Sequence, residues 1–558
     1  MFGAASPPRL RATLVWQLAL AFILTLLVLC GLIYWLQNVH IVTNNGLYKA
    51  LQVQPWITDP PRAKLDPSNY LYFPLYGRMC AWLDALGIAT GQAWRQFAYI
   101  NAFWASVGSV LVYLFAWRLT GRTLVAAAAT LFHAGIGFVL LLSVINEDII
   151  PGYVVVLGTM MLAGLWFDRP THPRVIVVAA IFTIGWLIEW RLIFPTLPAL
   201  ILALAICDGP PRRRAALIGT LVVAIVATAG IVQQLWEGHY GAVGLHDLLW
   251  TGKGVSTGWA GLTWDKAWMM LSGVGSYFVL GDSPSTVVGV KNSLPTLFLS
   301  LALQVAILAA AAWLFWPQRH DRRLRAIAAV FLGTLGAGEV FNFYSQPQDP
   351  QMQINVMAWL VVAWILLLGA LAARPRALAV LATLSLLPLV VNAATLAKYR
   401  GQDAAALAAI AEIERRFPPD STVFVYWGFE AMTVWKFALW SPTWGWEGDP
   451  DVGPAPSREP RFKWIAANSG AIRHPGWTPE QNAEAMKQAI DGVMVRGYRV
   501  VIGADLWGWT TQDLANQLSV LSASNRAPAI HDMLHGNFEV GPPVTVPFAG
   551  TYYELRKK

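Results

Sequence analysis

The chain has 558 residues, 56% of them hydrophobic and only 13% charged, with a mean hydropathy of +0.48. A soluble domain carries about 25% charged residues, so a wholly soluble chain is excluded and membrane-crossing helices are expected. The formal net charge of +8 falls mostly in short loops, where membrane topology accounts for it, and nucleic-acid binding is not expected.

The first apolar segment, Leu14 to Leu36, is longer than a signal-peptide core. It shows no small-residue cleavage site and reads as a retained anchor. A bilayer-crossing helix needs roughly 20 apolar residues. On that basis about eleven spans are expected, at 13–36, 97–117, 123–145, 150–167, 175–188, 192–207, 215–236, 294–316, 326–344, 353–372 and 377–397. Basic clusters fall at alternate boundaries: Arg9/Arg11, Arg118/Arg122, Arg169/Arg174, Arg212 to Arg214, Arg319 to Arg325 and Arg374/Arg376. Loops rich in Lys and Arg stay cytoplasmic. The N-terminus is then cytoplasmic, and the other loops and the C-terminal segment lie outside.

Two outer loops are long, 37–96 and 237–293. Loops of that length are usually functional or structured. The second holds Trp250, Trp259, Trp264 and Trp268, read as an amphipathic stretch on the outer leaflet or as an aromatic wall for a ligand. Residues 1–397 are expected to form the membrane domain and 398–558 a small soluble domain. The latter has helix signals at Asp403–Arg416 and Pro479–Arg496. The second opens on Thr478-Pro479-Glu480-Gln481, a capping box with Pro at the first helical position. Runs of β-branched and aromatic residues at Thr422–Trp427, Arg499–Ile502 and Thr551–Leu555 read as strands. The expected fold is a polytopic all-α membrane domain followed by a small α/β domain. Cys30, Cys80 and Cys207 show no metal or redox spacing and read as buried free thiols.

The unusual polar sequence lies on the outer side. Glu147-Asp148 follows an apolar run and precedes Pro151. Adjacent carboxylates at a membrane boundary favour a cation, a proton or a hydroxyl-bearing ligand; a solvated loop tip is the plainer reading. Asp66, before Pro67, is either a turn former or a further carboxylate for chemistry. Glu189-Trp190-Arg191 interrupts two apolar spans, either as an ion pair joining two helices or as an Arg that binds an anionic headgroup, since Arg suits bidentate phosphate contacts. Lys253, between two glycines, lacks the spacing of a nucleotide P-loop. It reads as an exposed turn or as a phosphate contact. Gln346, Gln348 and Asp349 stand in an amide-rich turn whose groups can donate to and accept from sugar hydroxyls.

The order of these elements resembles the GT-C class of polytopic glycosyltransferases, in its protein O-mannosyltransferase and aminoarabinose-transferase branch. The likeness runs over roughly residues 13–170. It is carried by the anchor, by a long outer loop ending in Pro74-Leu-Tyr76 and Trp82-Leu-Asp-Ala-Leu-Gly87, and by a span ending Tyr113-Leu-Phe-Ala-Trp-Arg-Leu-Thr-Gly121. The acidic motif with Pro151 follows. The resemblance implies transfer of a sugar from a polyprenyl-phosphate carrier, at the outer face of an inner membrane, to a glycan, lipid or protein acceptor. It implies Asp66, Glu147 and Asp148 as catalytic candidates, and Arg191 and Lys253 as contacts to the lipid phosphate. Glu189, Gln346, Gln348 and Asp349 become substrate contacts. The class carries an acidic residue or pair a few residues before a Tyr in the first loop. Here the matching stretch, with Asn44, Asn45 and Tyr48, has amides instead. A divalent cation is left open. Rival readings are a non-catalytic assembly protein with a transferase-like fold, to which the two Asn residues point, and a transporter, which would want deep charges and repeat symmetry.

Overall fold

The computed structural model describes residues 12–39, 49–50, 53, 56–57, 70–240, 264–280, 293–344, 353–418, 420–426, 463–467, 474, 476–519, 523–547 and 549–558. The chain divides into two compact units, Met1–Val42 with Val53–Arg400, and Thr43–Gln52 with Gly401–Lys558.

The first unit is helical. In chain order it builds α1 (Ala12–Leu36), α2 (Tyr72–Ala85), α3 (Ala93–Thr120), α4 (Thr123–Gly135), α5 (Gly137–Val144), α6 (Ile149–Trp166), α7 (His172–Ile188) and α8 (Ile193–Ala205). There follow α9 (Pro211–Tyr240), α10 (Trp264–Phe278), α11 (Leu294–Phe315), α12 (Arg322–Tyr344), α13 (Trp359–Ala370), α14 (Pro375–Leu384) and α15 (Leu387–Ala397). Among the described residues, α1, α3, α6, α9, α11, α12 and the run opened by α14 and α15 are long and apolar enough to cross a membrane. The chain is a multi-pass membrane protein. Its surface agrees: Trp16 and Tyr34 are each 76% exposed on α1, and Trp313 is 83% exposed on α11. A helix apolar all round and yet uncovered is matched to hydrocarbon rather than water.

Several hydroxyls inside the spans are satisfied locally. Ser106 donates to the Ala102 carbonyl at 2.7 Å, Thr130 to Ala126 at 2.9 Å and Thr334 to Val330 at 2.7 Å. Such bonding one turn back keeps a hydroxyl from standing unpaired in hydrocarbon.

The span expected over 123–145 is present but bent. It is two helices, α4 and α5, meeting at 70°. Ile136 between them is extended, at φ −56° and ψ 130°. Gly135 permits the break, because a Cβ there would stand 2.5 Å from the backbone nitrogen of Leu389. A break frees backbone groups, which in a bilayer cost several kcal/mol each. Asn392 on α15, fully buried, answers part of this. Its Nδ2 donates to the Gly135 carbonyl at 2.8 Å and to the Phe278 carbonyl at 3.1 Å, and its Oδ1 accepts from Leu280 N at 2.9 Å. One amide thus ties α4, α15 and the end of α10 together. The apolar helices α7, at 175–188 in the expectation, and the stretches Pro195–Ala205 and Val356–Ala370 are shorter than a full span.

The second unit contains α16 (Gln402–Arg416), β1 (Thr422–Tyr426), β2 (Lys463–Ala466), α17 (Pro479–Val495), β3 (Arg499–Gly503), α18 (Ala504–Gly508), α19 (Thr511–Ser519), α20 (Ala527–Asn537), β4 (Phe538–Val540), β5 (Val544–Val546) and β6 (Gly550–Lys557). The sheet order is β2-β1-β3-β6-β4, with β5 also on β6. The first three strands are parallel and β6 runs against β3. α17 is the crossover between β2 and β3. Its expected box is present: Gln481 N donates to Thr478 Oγ1 at 3.2 Å, and Thr478 N to Gln481 Oε1 at 2.9 Å. Strand alternation splits β1 between two faces. Val423 and Val425 join the core formed with Met486, Ile490 and Ile530, whereas Phe424 packs edge-on against Phe417 and Tyr552.

Candidate functional site

The site grows from the turn between α5 and α6. The apolar run ends at Ile145, which is extended, and Asn146, Glu147 and Asp148 follow before α6 begins at Ile149. Carboxylates at a helix N-terminus meet the positive end of its dipole. All three side chains are buried, at 1% exposure or less. The plainer reading of Glu147-Asp148 as a solvated tip is therefore excluded.

One side-chain amide and one backbone bond hold this turn. Asn101, buried midway along α3, donates through Nδ2 to the Ile145 carbonyl at 2.8 Å and the Glu147 carbonyl at 2.6 Å. Its Oδ1 accepts from the Tyr76 hydroxyl at 2.5 Å. Tyr76 stacks on Tyr72 with ring centroids 4.2 Å apart and meets Phe97 at 4.5 Å. Burial pushes both tyrosine hydroxyls well above the ordinary phenol range, so they stay neutral donors. The Pro74-Leu-Tyr76 element is thus the foundation of the acidic turn. Asn146 N donates to the Val39 carbonyl at 2.9 Å. Its side chain is fully buried, and neither its amide nitrogen nor its amide oxygen has a hydrogen bond among the described residues.

Arg191 closes the cluster from the other side. Trp190–Leu192 is a single 3-10 turn between α7 and α8, which aims the guanidinium back at α6. Nε donates to Glu189 Oε1 at 2.6 Å and Nη2 to Glu189 Oε2 at 2.8 Å, a bidentate pair. Nη2 also reaches Asp148 Oδ1 at 3.3 Å. Glu189 is 1% exposed and the Arg191 side chain 18%. Of the two readings of Glu189-Trp190-Arg191, the geometry is that of an ion pair joining helices. Nη1 takes no part in these bonds.

The structure therefore brings together Glu147, Asp148, Glu189 and Arg191. Asp66, Asn44, Asn45, Tyr48, Lys253, Gln346, Gln348 and Asp349 lie outside the described residues. Among the described residues no three His, Cys, Asp or Glu side chains group as a metal site. Both Glu189 oxygens and one Asp148 oxygen accept from Arg191, so the guanidinium already neutralises part of this carboxylate set. Cys80 and Cys207 are buried and Cys30 half-buried, all three free.

The sequence reading missed Asn101, Asn146 and Glu339. Glu339 lies on α12 near its C-terminal end, where Gln353 Nε2 donates to its Oε2 at 3.4 Å. Gln353 is fully buried, and Oε1 of each residue has no hydrogen bond among the described residues. A neighbouring pair, Asn355 and Thr196 at 3.4 Å, ties this region to α8. Gly338 lets α12 close on Val356 and on α8, since a Cβ there would overlap Val356 Cγ2 and stand 3.1 Å from Pro195 Cβ. A carboxyl within an apolar helix is a signal in itself, and it was readable in Gly338-Glu339-Val340.

No protein-family model matches the chain, and no curated protein matches it. Among solved structures it is similar to ArnT from Cupriavidus metallidurans bound to undecaprenyl phosphate, at a TM-score of 0.48 and 13% identity, over 98% of this chain and 98% of that one. It is also similar to the same protein in the apo state, at 0.40 and 15%, over 89% and 94%. A superposition this loose carries no inference about chemistry.

Proposed function

We propose that the chain is an integral-membrane glycosyltransferase of the GT-C kind. It would take a sugar from a polyprenyl-phosphate-linked donor and pass it to a glycan, lipid or protein acceptor at the outer face of an inner membrane. The observation that carries this reading is the buried polar turn Asn146 to Asp148. A buried amide left without hydrogen bonds costs about 1–3 kcal/mol, and buried ionisable groups at membrane depth mark functional sites by default. A hydroxyl-rich ligand supplies the donor and the acceptor that the buried Asn146 side-chain amide lacks among the described residues.

In this reading Glu147 accepts the proton of the acceptor hydroxyl as its oxygen bonds to the anomeric carbon. The bond from that carbon to the phosphate oxygen breaks, and the phosphate leaves with the electron pair. Charge develops at the sugar as in glycoside cleavage, next to three carboxylates. Direct displacement inverts the anomeric centre. Asp148 and Glu189 are held by Arg191 and position the acceptor. Three carboxylates facing one guanidinium repel a phosphate, so Arg191 can share the leaving group only with a second cation, and Lys253 is the residue assigned that part. Asp66 remains a second candidate base, and Gln346, Gln348 and Asp349, with Asn44, Asn45 and Tyr48, remain candidate sugar contacts. The outer-face orientation and the division at 397/398 belong to this proposal as well.

A second reading, a non-catalytic assembly protein, is favoured by one observation: Arg191 already holds both Glu189 oxygens and one Asp148 oxygen without a ligand. Reconstitution decides. Purified chain in vesicles, given a labelled polyprenyl-phosphate sugar and an acceptor extract, should release free polyprenyl phosphate. Release no greater than in protein-free vesicles, under conditions where the chain is folded, would favour the assembly reading.

A further inference from the structure

A second pocket, separate from the acidic turn, opens between α11, α12 and α13, with a volume of about 300 Å³. Its walls are apolar, with Leu308, Phe315, Phe331, Leu332, Trp359 and Leu366 among them. Its polar lining is two arginines, Arg319 and Arg325, both at one end. Arg319 is in the turn after α11 and Arg325 in the first turn of α12. From Arg325 to Leu332 the groove runs along two turns of α12, roughly 10 Å at 1.5 Å per residue. The shape is a hydrocarbon slot with a cationic mouth.

The charges at the mouth are not balanced. Asp208 pairs with Arg325 at 2.8 Å and also with Arg322. Asp321 caps α12, accepting from Arg323 N at 2.9 Å and Leu324 N at 3.0 Å. Arg319 meets no carboxylate among the described residues. It donates to the Trp316 carbonyl at 3.2 Å and lies over the Trp316 ring at 5.1 Å, exposed. Among the described residues of this turn, Arg319, Arg322, Arg323 and Arg325 outnumber Asp208 and Asp321, at the end of the helices that the basic clusters mark as cytoplasmic. Basic pockets between spans on that side take anionic headgroups.

We propose that this groove holds an acyl chain of an anionic phospholipid of the cytoplasmic leaflet, with its phosphate on Arg319 and Arg325. The apolar walls accept the tail of any lipid. The excess positive charge at the mouth, centred on Arg319, adds the selectivity, since a zwitterionic headgroup carries its own positive charge there.

The test is native mass spectrometry of the full chain in mild detergent, titrated with phosphatidylglycerol or with phosphatidylcholine of the same acyl chains. An arginine near an anionic headgroup is worth about fivefold in affinity, so phosphatidylglycerol should be retained at least about fivefold better. Arg319→Ala should lower its retention by about that factor and leave phosphatidylcholine unchanged. Ala312→Phe, at an exposed position lining the groove, should lower retention of both, with thermal melting to confirm that each variant is folded. Equal retention of the two lipids, or an Arg319→Ala variant that binds like the parent, would overturn the proposal. So would undiminished binding in Ala312→Phe, or a dimer mass insensitive to added lipid, which would make the groove a contact with a second copy.

Discussion

Replacing Arg191 by Ala is the most informative perturbation of the acidic cluster. The guanidinium neutralises Glu189 through two short bonds and touches Asp148, and both carboxylates are 1% exposed. Removing one partner of a buried pair leaves charge that water cannot reach. The usual cost is about 3–5 kcal/mol, a large part of the 5–15 kcal/mol that typically separates folded from unfolded chains. The loss should show as a marked fall in melting temperature in detergent, before any donor is added. Arg191→Lys should recover only part of it, because an ammonium cannot reproduce the bidentate fork. Arg191→Ala combined with Glu189→Gln should recover more, since the orphaned charge is then removed as well. An Arg191→Ala variant that melts like the parent would refute the argument that this residue is committed to the ion pair. It would return Arg191 to the role of a free phosphate contact.

Further consequences are open to the same kind of measurement. Asn392→Leu removes hydrogen bonds to two carbonyls and one amide at the α4/α5 break, and at about 1–3 kcal/mol for each orphaned group it should cost several kcal/mol in thermal or denaturant unfolding, whereas Thr395→Val nearby should cost far less. Thr478→Ala removes the cap of α17 and should destabilise the C-terminal unit by about 1 kcal/mol, read as faster amide exchange at residues 480–482. Glu339→Gln keeps the bond from Gln353 available while removing a buried carboxyl, so the melting temperature should be unchanged or raised; a clear fall would show that the carboxyl itself supports α12.

The legible part of this protein was what sums over many residues. Spans declare themselves by hydropathy, which is why α1, α3 and α12 fall close to expectation. The capping box of α17 and the strands β1, β3 and β6 were legible because each rests on a local pattern. The break at Ile136 was easy to pass over, since Gly135 and Gly137 are its only local signal in a mostly apolar run that also holds His133. Its cause, the close approach of Leu389 and the amide of Asn392, comes from more than 250 residues away in sequence. Strands β4 and β5, three residues each, are too short to show alternation and exist because β6 offers a partner. In the site, charged pairs were conspicuous and single amides were not. Asn101 and Asn146 look like tolerated polar residues in apolar sequence, and only their burial and bonding give them roles. The direction of Arg191 was likewise not local, because it depends on a 3-10 turn set by the packing of α7 and α8.

The central claim is that the buried turn Asn146 to Asp148 is where an acceptor hydroxyl loses its proton. Glu147→Gln changes one atom of a buried side chain, so it tests this with little disturbance of packing. Single-turnover transfer from a labelled polyprenyl-phosphate sugar should fall about 10²–10⁴-fold, the usual cost of removing a general base, while donor binding and melting stay near the parent's. Transfer at the parental rate in folded Glu147→Gln and in folded Asp148→Asn would contradict the account and move the reaction away from this turn.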